Sequence, residues 1–320
     1  MTAYALLLSC ALGAAVPAPS AGSAPASSVS AAVAQVVPVV REVRYKMAAA
    51  IRPLLIFWLR SANVGAGRII WRAGEDDRRG YELLIGSDPR RAPSRINRWG
   101  WEREDLGPEG ATLFGVMRKT DEESLNEAKS SISAEGTGGF LFKSIRATIA
   151  ADHMRAENTV WRVSRDYTYH DIGELLTLVD SHPQTPPQVR VARLPEGTSP
   201  GFLFAVTTLV EKTVAAATAP GTPRQLPSGL KATFTFNASL YDVTLRSSEW
   251  LDSATYGGHR YDRLVRMNFE HFNREKRTRE RFALVCPTDG PLALVPVFIE
   301  YQPKWWFKAE GVLDYSEVFP

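Results

Sequence analysis

Between Gly258 and Leu313 the side chains change character at every second residue, and a chain with that period can bury only one face of each strand. Val265, Met267 and Phe269 fall on one side, and Arg266, Asn268 and Glu270 on the other. The charged run Asn273-Arg274-Glu275-Lys276-Arg277 carries the chain round, after which Glu280, Phe282, Leu284 and Cys286 alternate with Arg279, Arg281, Ala283 and Val285. Pro287-Thr288-Asp289-Gly290-Pro291 has the residues of a tight reversal: proline fixes φ and glycine accepts a positive one. A second hairpin follows, with arms Leu294–Tyr301 and Trp305–Leu313. Pro296 lacks an amide donor and suits an edge or a bulge.

Most of the remaining chain reads the same way. Strands are expected over 43–51, 68–71, 81–85, from Ile96, and over 112–118, 140–149, 159–164, 189–194, 202–214 and 231–240. Leu54–Leu59 reads as a more fully buried run, with a helix over Met47–Arg60 as the competing assignment because three alanines favour it. Asn63-Val64-Gly65-Ala66-Gly67 reads as a turn, and 215–229, with three prolines, as a long loop. Helices are expected at Asp121–Ser131 and at Asp171–Asp180, where Ile172, Leu175, Leu176 and Val179 share a face. The fold expected is mainly β: a large curled antiparallel sheet, a half-barrel or open barrel, cupping one or two short helices, because twist accumulates across many strands.

The run Leu294-Val295-Pro296-Val297-Phe298-Ile299-Glu300-Tyr301, after a charged hairpin and before a closing strand, resembles the end of an exported, β-rich bacterial family of unknown function. Members of that family resemble half-open antiparallel barrels. The resemblance covers the last quarter of the chain, implies a fold and a compartment, and brings no catalytic residue with it.

The first 35 residues carry no charged side chain. An apolar block through Val16 leads into a Pro/Ala/Ser/Gly-rich tract and then Ala32-Val33-Ala34, so 1–34 reads as a signal peptide and leader, cleaved between Ala18 and Ala34. The positive segment that usually opens such a leader is missing. Leu7-Leu8-Ser9-Cys10 also has the form of a lipoprotein box, with Cys10 as the lipidated residue. Residues 35–320 then form one large β domain with Cys286 as its lone cysteine, in the periplasm or secreted. No later run is long and apolar enough for a transmembrane helix. A net charge of +3 over 320 residues does not mark a nucleic-acid binder.

Candidate chemistry is sparse. Gly197-Thr198-Ser199-Pro200-Gly201 has the nucleophile-elbow spacing, but the residues after it read as strand where that motif needs a helix. Gly65-Ala66-Gly67 lacks the third glycine of a dinucleotide loop. The five histidines do not have zinc spacing, and no metal or cofactor is expected. His170-Asp171 offers a base with a neighbour, or more simply a solvated histidine beside a helix cap. The candidate ligand-binding residues are Arg90, Arg91, Arg95, Arg98, Trp99 and Trp101, since guanidinium groups pair with anions and indoles stack on rings or cations. The alternative for that stretch is a polar loop whose tryptophans anchor a strand. The function expected is a non-enzymatic exported carrier or scaffold that binds an apolar or amphipathic envelope ligand, with a lipid or an anionic envelope component as partner. The rivals are a periplasmic hydrolase using His170, Asp171 or Ser199 and, less compatible with the pattern, an outer-membrane barrel.

Overall fold

The computed structural model describes residues 37–52, 58–118, 139–181, 186–219, 226–304 and 307–315. These form a fourteen-stranded sheet in which every ladder is antiparallel. One meander runs through β1 (Val39–Ile51), β2 (Leu59–Ala73), β3 (Arg79–Ser87), β4 (Trp99–Gly107), β5 (Gly110–Arg118), β6 (Phe140–Ala150), β7 (His153–Val163) and β8 (Gln188–Arg193). The other runs through β9 (Lys231–Phe236), β10 (Ser239–Tyr256), β11 (His259–Asn273), β12 (Thr278–Pro287), β13 (Phe298–Lys304) and β14 (Phe307–Leu313). Pairing of β1 with β14 joins the two meanders in mid-sheet, leaving β8 and β9 as the edges.

The sheet curls until β9 and the turn after it meet side chains of β7, the strand next to the other edge. Asn158 on β7 donates to Asn237 at 2.5 Å, and the Met154 sulfur receives the Thr235 hydroxyl and the Ala238 amide. The edge of β9 is covered by the segment around Ser199, whose amide donates to Thr233 and whose carbonyl accepts from Thr235. A covered edge cannot template further strands.

Two helices use the two faces of this surface. α1 (Ile172–Ser181) lies on the outer face, where Ile172, Leu175 and Val179 join Leu84, Trp99, Trp101, Val116, Phe142 and Trp161 in a separate core. Its entry is fixed by a capping box between Thr168 and Asp171. α2 (Phe202–Thr218) lies inside the curl, in the main core with Met117, Ile145, Phe234, Leu245, Phe269 and Phe282.

The hairpins over 258–313 and the helix near 171–180 are found as expected. Five local expectations need correction. Residues 202–214 are helix, and that helix takes in the first residues of the expected 215–229 loop. Asn63–Gly67 lies inside β2, where the register against β1 shifts and Asn63 takes φ 54°, so the sequence of a turn makes a β-bulge. Gly65 is needed there because a Cβ would lie 2.0 Å from the Gly86 carbonyl oxygen. Residues 231–240 are two strands joined at Asn237-Ala238, both at positive φ. In 294–301 the ladder begins only at Phe298. Strand β4 begins at Trp99, after a short 3-10 turn at Pro93–Arg95. The leader with Cys10, the helix expected at 121–131, and Leu54–Phe57 lie outside the described residues.

Candidate functional site: an apolar cavity beside an internal helix

The helix that sequence patterning reads as strand organises the interior. Its sequence, Phe-Leu-Phe-Ala-Val-Thr-Thr-Leu-Val-Glu-Lys-Thr-Val, is apolar nearly all round and rich in β-branched residues, so it shows no single stripe. What fixes it is a carboxylate from another element. Glu104 on β4 points inward and accepts the amides of Leu203 at 2.7 Å and Phe204 at 2.9 Å. A negative group at a helix N-terminus satisfies amides that have no partner within the helix and matches the helix dipole. Gly201 makes room for it, since a Cβ there would fall 2.2 Å from the Glu104 carboxyl.

Glu102 stands two residues back on the same inner face, and both acids are about 1% exposed. Burial pushes the Glu104 carboxyl up to about 7, although the helix amides and Glu102 pull it down. Glu102 is raised well above the usual carboxylate range by burial and by the Glu104 charge. Two neighbouring acids in a dry interior do not both ionise, so Glu102 keeps its proton and Glu104 becomes the charged partner of the helix amides only as the pH passes about 7.

One side of α2 packs on β9, β10 and β11, with the Phe202 ring against Phe234, His271 and Phe282. On the side towards β3, where Phe204 meets Tyr81 edge-on, Leu203, Val206, Thr207, Val210 and Glu211 line a cavity of about 370 Å³. That lies within the size range of small-ligand sites. The facing wall is formed by Tyr45, Met47, Ile69, Trp71, Tyr81, Leu83 and Ile85 of β1–β3. The second meander adds Phe282, Leu284, Ile299 and Tyr301, with Leu294 and Pro296 from the loop before β13.

The hydroxyls on this wall are turned to protein partners. Tyr45 donates to the Pro296 carbonyl at 2.8 Å, Tyr301 donates to Glu280, and Tyr81 bonds Arg79. The interior therefore offers a ligand apolar surface and few free donors. Where Val40, Arg41 and Leu294 line the cavity they are also exposed, Val40 by 60% and Leu294 by 37%.

The residues of the Arg/Trp stretch are not brought together. Arg90, Arg91 and Arg95 are exposed on the turn after β3, with Arg91 beside Asp88. Arg98, Trp99 and Trp101 are buried, at 1%, 1% and 4% exposure. The alternation of β4 turns both indoles into the outer core, where Trp99 donates to the Tyr167 carbonyl and Trp101 to Glu82. The rings thus lie inside that core and not on the surface. At His170-Asp171 the histidine is exposed and the aspartate serves as the helix cap, also paired with Arg165. Ser199 is followed by a helix after all, but the N-terminal amides that could stabilise an oxyanion are occupied by Glu104.

Glu102, Glu104, Arg41 and the cavity face of α2 were not singled out from sequence. The signal for the acids was present in Trp99-Gly100-Trp101-Glu102-Arg103-Glu104: if the indoles share one face, the glutamates must share the core of the other.

No protein-family model matches this chain, and no curated protein matches it. Among solved structures, a beta-barrel-like protein of the domain of unknown function DUF1849 from Brucella abortus is similar at 10% identity, covering 87% of this chain and 97% of that one, with TM-score 0.45. A structure from Parabacteroides distasonis described as "a putative lipoprotein" is similar at 9% identity over 87% of this chain and 96% of that one, with TM-score 0.24.

Proposed function

We propose that this protein is an exported, non-enzymatic carrier or scaffold that holds an apolar or amphipathic envelope ligand between α2 and the inner face of β1–β3 and β12–β13. The observation that carries this reading is the apolar cavity between the internal helix and the inner face of β1–β3. The charge-free, apolar start of the chain supports export, and lipidation of Cys10 belongs to the same reading. An anionic envelope component meeting the loop after β3 would meet Arg90, Arg91 and Arg95, the exposed part of that stretch.

The test is binding of the neutral apolar fluorophore N-phenylnaphthylamine to the purified protein and to Val206→Trp, in which an indole fills the cavity from α2. The reading expects saturable binding with about one site, displaceable by extracted envelope lipid and lost in the variant. Absence of binding to the parent protein, or equal binding to a folded Val206→Trp, would contradict it.

A further inference from the structure

The charges at the cavity's open end select among amphipathic ligands. In register across three strands, Arg41 on β1 lies beside Trp71 on β2, and Trp71 beside Tyr81 on β3. Arg41 is exposed, lines the cavity, and donates through one guanidinium nitrogen to the Ala293 carbonyl at 3.1 Å. The remaining donors of that fork are free to meet a ligand. The other cation in the lining, Arg68, is held by Glu82 at 2.7 Å on the opposite face of the sheet. The acid in the lining, Glu211, lies within the field of Arg79. Arg41 thus stands at the rim with guanidinium donors to spare, next to exposed Val40 and Leu294 and half-buried Trp71.

Resting on the cavity reading above, we infer that the ligand is a single-chain lipid anion, whose carboxylate or phosphate head pairs with Arg41 and whose chain lies along α2. Arginine suits both heads because its planar fork matches two oxygens at once. The interior wall, with its hydroxyls already committed, accepts the chain and rejects a second polar group, since burying one without a partner is costly. A cavity of about 370 Å³ is at the small end of ligand sites and fits one chain better than two.

The test compares hexadecanoate, hexadecyl phosphate and the neutral hexadecanol by calorimetric titration below their aggregation concentrations, on the parent protein and on Arg41→Gln. Arg41 is on the surface, so the substitution leaves the core intact. The expected result is that at least one anion binds the parent more tightly than hexadecanol and weakens about tenfold in Arg41→Gln, as loss of one charge-assisted contact implies. Hexadecanol should be unaffected, and the tighter anion identifies the head group. Equal affinities for anions and alcohol, or anion binding unchanged in Arg41→Gln, would overturn the assignment of the head while leaving the cavity as a site. Failure of all three ligands to bind the parent would overturn both.

Discussion

At Gly201 a single hydrogen side chain decides whether the internal helix can be capped. Gly201→Ala would push a methyl group into the Glu104 carboxyl, and the expected cost is about 1–3 kcal/mol of stability, read from the urea midpoint. Glu104→Gln keeps the shape, removes the charge at the helix N-terminus and should cost less than Gly201→Ala. Titration of the acid pair has a definite sign. A carboxyl whose folded pKa is raised holds its proton when the unfolded chain has released it, so stability falls as pH rises from about 4.5 towards 7. For Glu104 the loss is on the order of 3 kcal/mol across that window. Glu102→Gln removes the second proton-holding group and should make unfolding less pH-dependent between pH 5 and 8. A parent protein equally stable at both pH values would show that the pair is not buried as described.

At the scale of elements, what could be read from sequence depended on how many faces of an element are buried. β11 alternates over Val265–Phe269, β12 over Arg279–Phe282 and β14 throughout, and both hairpins of 258–313 follow from that pattern. α1 lies on the sheet with one face wet and shows its apolar stripe plainly. The first ten residues of α2 lie inside the curl, and its exposed positions begin only at Lys212, so no solvent side shows over 202–211 and the Val, Thr and Phe content suggests a strand. Its helical state is set by tertiary contacts: the Glu104 carboxylate comes from a residue about a hundred positions away. The same limit hid the site, because a cavity is the space between an element misread as strand and the strands around it. Leu209→Ala, in the packed side of α2, should destabilise by about 2–5 kcal/mol, whereas Val206→Ala on the cavity side should cost clearly less. Equal costs in chemical denaturation would mean that α2 is packed alike on both sides. An isolated peptide of residues 202–218 should show little helix in water, since it loses both the Glu104 cap and its packing surface.

For the whole molecule, the consequential feature is that, among the described residues, a sheet of fourteen strands curls until β9 meets β7 and holds α2 inside. Among the described residues the seam is made of contacts at Asn158, Asn237, Met154 and the Ala238 amide, without a backbone ladder, so fewer hydrogen bonds hold it than hold a paired strand. Asn158→Ala leaves Asn237 without that partner and should raise hydrogen exchange in β8 and β9 more than in β1 and β14, which are paired on both sides. The interior between α2 and β1–β3 is where the described fold leaves room for an apolar guest. The most direct test is native mass spectrometry of the full-length protein, purified gently from its own compartment, alongside Val206→Trp. The account predicts a lipid-sized adduct at one per chain on the parent and none on the folded variant. A parent that is bare, or an adduct retained when the cavity is filled, would contradict it.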